Sequence, residues 1–253
     1  VIRSIYKALD QFGFNGGKIL EPGMGIGHFA GLLPENMKSS YTGIEMDHLT
    51  AAIAKHLYQK QNVLQEDFTK LKLPDNFFDL AIGNPPFSRT VILSDPDYKK
   101  NRFKLHDYFF AKAMDKVRPG GLLVFISSRY TMDKQGDKAR KWLNERADLL
   151  GAIRLPQTAF KQNAGTEVVT DVLFLRKKVP GEVTTGQPWL ELKELKPDKA
   201  EPVMVNEYFA AHPKMAPGRH SREGTIYGAD QSTAMPNDGN MADHFQNPAD
   251  SLP

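Results

Sequence analysis

Over the first 178 residues, short apolar runs alternate with stretches whose apolar side chains recur at helical spacing. This alternation constrains the fold more than any other feature of the chain. A strand that is apolar throughout must be covered on both faces, and a helix between two strands returns the second parallel to the first. The pattern predicts strands at Lys18–Glu21, Tyr41–Glu45, Val63–Gln65, Phe78–Gly83, Leu122–Ser127, Leu149–Leu155 and Val172–Leu175. Helices are predicted through Ile2, Ile5, Tyr6, Leu9 and Phe12, through Phe29, Leu32 and Leu33, and over Leu49–Tyr58, Asp107–Val117 and Ala139–Arg146. Pro119-Gly120-Gly121 is read as the stop that separates the fourth of these helices from the next strand, and a loop is expected at Asn163 to Thr166. The expected fold class is α/β, a doubly wound, mainly parallel seven-stranded sheet followed by an irregular C-terminal extension.

Charge locates the end of the sheet domain. Residues 1–178 carry 27 basic and 19 acidic side chains, net +8, whereas residues 179–253 carry 6 and 11, net −5, together with 9 of the 17 prolines. The expected division is a basic folded body at 1–178 and a proline-rich, acidic connector at 179–253. A basic body suits a polyanionic partner. The absence of cysteine excludes disulfide scaffolds, zinc ribbons and thiol chemistry, and the seven histidines have no metal-ligand spacing, so no metal is expected. The longest apolar run, Leu122 to Ile126, is too short for a membrane helix, and a cytoplasmic protein is expected. With Val1 in place of an initiator, the natural start is expected to lie upstream.

In doubly wound sheets, ligands bind beyond the C-terminal ends of the strands. The first strand runs into Glu21-Pro22-Gly23-Met24-Gly25-Ile26-Gly27, a glycine turn that lets a ligand lie against the backbone. Its spacing is not the dinucleotide pattern, and the carboxylate before it would repel a pyrophosphate and attract an amine. Glu45 ends the second strand, where it can accept both ribose hydroxyls, and Asp67 ends the third, where it can accept from an exocyclic amine. A ligand with an amine, a ribose and an adenine but no phosphate fits this set, and S-adenosyl-L-methionine is that ligand. Alternatively, each acid simply caps the next helix.

The fourth strand ends in Asn84-Pro85-Pro86-Phe87. The prolines fix the backbone so that the Asn84 amide oxygen and the following carbonyl can face one donor, while Phe87 offers a stacking face. An exocyclic amine on a flat heteroaromatic base fits. Two acceptors holding its hydrogens would favour the pyramidal nitrogen that attacks a methyl sulfonium, without a strong general base.

In their order, Glu21-Pro22-x-x-Gly25-x-Gly27, Glu45, Asp67 and Asn84-Pro85-Pro86-Phe87 resemble the class I S-adenosylmethionine-dependent N6-adenine DNA methyltransferases, with the motif order of the gamma group and a Rossmann-like fold. The resemblance covers residues 1–178. It implies Gly23, Gly25 and Gly27 as backbone contacts to the cofactor, Glu21 on its amine side, Glu45 at the ribose and Asp67 at the adenine. Pro22, Met46, Phe68 and Asn84 complete the implied cofactor site, and Asn84, Pro85, Pro86 and Phe87 are the implied catalytic residues. Tyr98, Lys99, Lys100, Arg102, Phe103 and Lys104 combine aromatic and basic character after the catalytic motif, as a nucleic-acid contact would, and a solvated loop is the alternative. Ser127, Ser128 and Arg129 read as a polar strand end or as part of the target pocket, with Arg129 a further candidate contact to nucleic acid.

Leu105-His106-Asp107-Tyr108-Phe109-Phe110, Val117-Arg118-Pro119-Gly120-Gly121, Ile153-Arg154-Leu155-Pro156 and Ala164-Gly165-Thr166-Glu167-Val168 are similar to the methylase portion of phage and conjugative-element methylase-helicases of the defence-against-restriction type. Asn206-Glu207-Tyr208-Phe209-Ala210-Ala211-His212-Pro213 resembles a segment found there between methylase and helicase. This narrower resemblance implies DNA as partner, a helicase or target-recognition region outside this chain, and protection of mobile DNA from restriction. The acidic tail is an unlikely material for the target-recognition domain that gamma enzymes usually carry. Two other readings remain open: an amine methyltransferase acting on RNA or protein glutamine, and a catalytically idle module that binds DNA or assembles a larger protein.

Overall fold

The computed structural model describes residues 1–136, 138–156, 169–183, 185–196, 202–216, 219–221 and 233–235. The loop expected at Asn163 to Thr166 and the stretch Ala164 to Val168 lie outside them. Helices α1 (Ile2–Gln11), α2 (His28–Gly31), α3 (His48–Leu57), α4 (Leu105–Lys116), α5 (Tyr130–Asp133) and α6 (Lys138–Arg146) alternate with strands β1 (Gly16–Pro22), β2 (Lys38–Glu45), β3 (Asn62–Gln65), β4 (Phe78–Gly83), β5 (Val117–Ser128), β6 (Ala147–Leu155) and β7 (Thr170–Lys177). The seven strands form one sheet in the order β3-β2-β1-β4-β5-β7-β6. Strands β1 to β5 pair in parallel, whereas β7 runs antiparallel to both β5 and β6, so the sheet is mixed. Leu80, Ala81 and Ile82 of β4 and Leu123 to Ile126 of β5 are buried, as central strands covered on both faces require.

Several boundaries differ from the sequence pattern by a few residues, and one differs in kind. Pro119-Gly120-Gly121 does not separate α4 from the next strand, because β5 begins at Val117, directly after the helix. The three residues form a slip in pairing, with Phe78 opposite Val117 but Leu80 opposite Leu122. Pro119 has no N–H to give a ladder, and a Cβ at Gly121 would stand 2.7 Å from Val117 Cγ1 and 2.8 Å from the Asp79 carbonyl oxygen, so the bulge requires glycine there. The second helix is also shorter than expected, with Leu32 already its C-cap.

The C-terminal end of α4 is gripped from β7. Lys177 Nζ donates to the carbonyls of Met114 (2.9 Å), Asp115 (3.2 Å) and Val117 (2.8 Å), and to Asn76 Oδ1 (2.8 Å). A cation there satisfies carbonyls that the helix leaves unpaired and offsets its negative end.

Part of the segment read as an irregular connector is structured and packed on the sheet domain. Strands β8 (Leu192–Leu195) and β9 (Val203–Asn206) form an antiparallel hairpin, followed by α7 (Glu207–Ala211). Trp189, Tyr208 and Phe209 are buried in the main core, and Trp189 Nε1 donates to Asn144 Oδ1 at 3.0 Å. Asn206, fully buried, donates from Nδ2 to the carbonyls of Met132 (3.0 Å) and Trp189 (2.8 Å), and its backbone N–H donates to Asp133 Oδ1 at 2.9 Å. Buried Arg154 of β6 lies 2.7 Å from Asp133, makes two 2.8 Å bonds to Asp171, and stands 4.3 Å above the Phe209 ring. Net charge and proline content could not reveal this, because a few buried aromatics outweigh an acidic, proline-rich average. Replacing Trp189 by Ala should lower unfolding stability by about 3–5 kcal/mol, read as a shift in the urea midpoint of the whole chain; a change below about 0.5 kcal/mol, typical of exposed positions, would mean that the tail is not part of the folded unit.

Candidate cofactor and target-amine site

The sheet order places β3, β2, β1 and β4 side by side and parallel, so Asp67, Glu45, Glu21 and Asn84 follow the same ends of four adjacent strands. The glycine turn after β1 is bound to β2 by N–H bonds from Gly23 (2.8 Å) and Met24 (2.9 Å) to the Ile44 carbonyl. Gly23, Gly25 and Gly27 all have positive φ, at 71°, 57° and 88°, where a side chain would be strained. A Cβ at Gly25 would meet nothing within 4 Å, whereas one at Gly27 would run into Tyr58. The turn is therefore packed from behind and open at Gly25.

Glu45 organises this turn. Its Oε2 accepts from Gly25 N and its Oε1 from Asp47 N, both at 2.9 Å, so one carboxylate ties the turn to the start of α3. Each oxygen keeps a second lone pair for a hydroxyl. Met46 beside it is largely exposed. Asp67 caps no helix and instead closes the turn at 68–70, its Oδ1 accepting from Thr69 N and Thr69 Oγ1 at 2.8 Å, while Oδ2 lies 3.6 Å from Lys70. Phe68 is buried against Phe109 and Tyr108 and supports the loop from the core side. Pro22 is likewise buried, paired with Ile44 in the sheet.

Glu21 is buried, and Tyr41 on β2 donates its hydroxyl to Glu21 Oε2 at 2.5 Å. Among the described residues no cation forms an ion pair with it. Burial pushes the carboxyl up to about 8, partly countered by the Tyr41 hydrogen bond and reinforced by the Glu45 carboxylate, so Glu21 is protonated at neutral pH. A cation brought beside it would reverse that balance. Tyr41 was not foreseen from the sequence; its place in the alternation of β2 was the available signal.

Asn84 leaves β4 exposed and has no hydrogen-bond partner among the described residues, Pro85 is buried, Pro86 is exposed, and the Phe87 ring is 43% exposed. A Cβ at Gly23 would meet Pro86 Cδ at 3.7 Å, and one at Gly83 would meet Glu21 Cγ at 3.4 Å, so the glycine turn and the Asn84–Phe87 motif share one site. Beneath Phe87 lies His106, which the sequence reading passed over, with ring centroids 4.9 Å apart edge to face.

The loop after this motif is pinned to α4. Buried Asp95 accepts from Tyr108 Oη (2.6 Å) and Lys112 Nζ (2.9 Å), and Tyr98 Oη donates to Asp115 at 2.6 Å. Burial alone would raise the Asp95 carboxyl, but these donors hold it below its ordinary value. Lys99, Lys100 and Arg102 are exposed, Lys104 is half-buried, and Arg129 is half-buried with its guanidinium 4.9 Å over the Tyr130 ring. The aromatic half of the expected nucleic-acid contact is corrected: Tyr98 and Phe103 are buried, the latter against Trp142, and no base can stack on them. Among the described residues there is no cluster of three or more potential metal ligands and no helix long and apolar enough to cross a membrane.

With this geometry established, comparison with known proteins decides the family. The profile of the Eco57I restriction-modification methylases matches residues 30–158, just over half of the chain. The chain belongs to that family. Defense against restriction protein B of Escherichia phage P1 is 28% identical over 196 residues, which are 74% of this chain but only 8% of the phage protein. The rRNA N(6)-adenosine-methyltransferase metl-5 of Caenorhabditis elegans is 25% identical over 191 residues, 69% of this chain and 83% of that enzyme. A crystal structure described as the modification subunit of a type I restriction enzyme from Vibrio vulnificus superposes with a TM-score of 0.60 at 14% identity, covering 95% of this chain and 59% of that one. The fold is that of class I S-adenosylmethionine-dependent methyltransferases, and S-adenosyl-L-methionine is the cofactor. The open face at Gly25 and the strand-end carboxylates, of which only Asp67 has a cation beside it among the described residues, fit its uncharged ribose and its ammonium.

Because the folded-state value of Glu21 lies above its ordinary 4.5, its contribution to stability is fully present below pH 4.5 and is lost as pH rises through about 8. The free energy of unfolding from urea titrations should fall across this window, and Glu21→Gln, which cannot ionise, should flatten the fall. An equal slope in both proteins would refute the buried neutral carboxyl.

Proposed function

We propose that this chain transfers a methyl group from S-adenosyl-L-methionine to the N6 amine of adenine in DNA. The observation that carries the proposal is Asn84, exposed and without a hydrogen-bond partner among the described residues at the end of β4, beside the glycine turn at the end of β1. The roles follow from chemistry. Gly23, Gly25 and Gly27 present backbone to the cofactor, Glu21 meets its amine, Glu45 its ribose and Asp67 its adenine, with Pro22, Met46 and Phe68 as walls or support. The bound cofactor supplies an electrophilic methyl on a sulfonium.

The Asn84 amide oxygen and the Pro85 carbonyl hold the two hydrogens of the incoming amine, drawing its lone pair out of conjugation and aiming it. Phe87 offers its exposed face to the base, which a duplex must flip out at a cost of a few kcal/mol. The proton leaves to solvent after transfer, when the methylated amine has become acidic. Lys99, Lys100, Arg102, Lys104 and Arg129 are proposed to meet phosphates, with no stacking partner among Tyr98 and Phe103. Residues 1–178 are read as the catalytic unit, with residues 179–253 leading from it to a target-recognition or helicase region of a longer protein in the cytoplasm. Membership in a restriction-modification family and similarity to an antirestriction protein support DNA as substrate and protection of mobile DNA as purpose.

Similarity to an rRNA adenosine methyltransferase over most of that enzyme's length supports RNA as the second reading. Labelled methyl transfer to duplex DNA, single-stranded DNA, RNA and total protein, with nucleoside analysis, separates the two. N6-methyladenine in DNA is expected; label only in RNA would replace the first reading by the second. Asn84→Ala should lower transfer by about 10²–10³, the usual cost of one aimed polar group, and weaken cofactor binding far less. Undiminished transfer would remove Asn84 from the chemistry.

A further inference from the structure

The motif Asn84-Pro85-Pro86-Phe87 is weakly tied to the rest of the chain. Among the described residues, no side-chain hydrogen bond reaches it apart from an approach by His106 to the Pro86 backbone, and the next tie is Leu105 N to Thr90 O at 2.7 Å. Prolines limit how the motif bends but give it no N–H with which to hold a neighbour. Something else must set where Asn84 and Phe87 stand.

His106, in the first turn of α4, is in position to do so. It is 7% exposed, and its ring stands edge to face between Phe87 (4.9 Å) and Phe110 (5.2 Å). Its Nε2 lies 3.0 Å from Ser127 Oγ at the end of β5, and Ser127 is in turn 2.5 Å from Thr131 Oγ1 on α5. Its Nδ1 is buried without a well-formed partner, on the ring that faces the Pro86 backbone. A buried imidazole with one nitrogen left unsatisfied costs stability, and a phenyl ring would fill the same layer of aromatic side chains at no such cost.

We propose that His106 is a positioning residue for methyl transfer, fixing the Phe87 ring to the ends of β5 and α5 through the Ser127–Thr131 hydroxyl pair. Burial drives its ionisation down to about 4, so the ring is neutral, with Nε2 paired to Ser127 Oγ and the other nitrogen facing the Pro86 backbone. The same network joins the two loops that flank the target amine, one after β4 and one after β5.

This inference rests on the reading of Asn84–Phe87 as the amine site, and its test separates the two. His106→Phe keeps the ring and severs the polar link; His106→Gln keeps a polar group at the distance of Nε2. In steady-state transfer to adenine-containing DNA, His106→Phe should lower kcat about tenfold or more, with cofactor Kd and Tm near the parent values, and His106→Gln should recover most of the loss. Parental kcat in His106→Phe would overturn the proposal, as would an equal loss in both variants accompanied by a fall in Tm.

A second readout needs no substrate: 4-fluorophenylalanine placed at position 87 and followed by ¹⁹F NMR. One sharp resonance in the parent and a broadened or split one in His106→Phe is expected. Identical spectra would overturn the proposal even where transfer fails altogether, a failure that would count against the amine-site reading instead.

Discussion

The parallel pairing of β1 with β2 on one side and β4 on the other is the constraint on which the site depends. It brings the ends of strands far apart in sequence to one line, so that the glycine turn, Glu45 and Asn84 become neighbours. The Glu45 carboxylate then completes locally what the sheet begins, accepting from Gly25 and Asp47 and so fixing the opened turn against the start of α3. Remove the pairing and none of these groups has a reason to meet.

The sheet was legible because its signals are local. Apolar runs, glycine punctuation and helical spacing each report on a few residues, and the strand ends carried their acids in plain order. The bulge at Pro119–Gly121 was not legible, since Pro-Gly-Gly reads equally well as a stop; only the Asp79 carbonyl across the sheet makes it a slip in pairing. The antiparallel β7 was hidden for the same reason, direction being a property of the partner rather than of the strand.

At the site, legibility divided along similar lines. Asn84 and Glu45 stand out because a polar group at a strand end has no packing explanation. Tyr41 and His106 looked like ordinary core residues, and their polar atoms acquire meaning only from Glu21 and Ser127, supplied by other elements. The buried Tyr98 and Phe103 erred in the other direction: aromatic side chains beside lysines suggest a stacking surface, but the chain spends them on holding the loop to α4 and α6. Trp189, Asn206 and Phe209 did the same for the tail, converting an acidic segment into part of the fold around Arg154.

Helix α4 has a use beyond covering the sheet. Its last carbonyls are held by Lys177 at the end of β7, and its first turn carries His106. At 1.5 Å per residue the helix is a stiff rod of about 18 Å, clamped at one end and bearing the support of Phe87 at the other. A strand inside the sheet, between β5 and β6, thus fixes the far end of the helix whose first turn lies against Phe87, so the seating of that ring depends partly on a lysine at the other end of the rod.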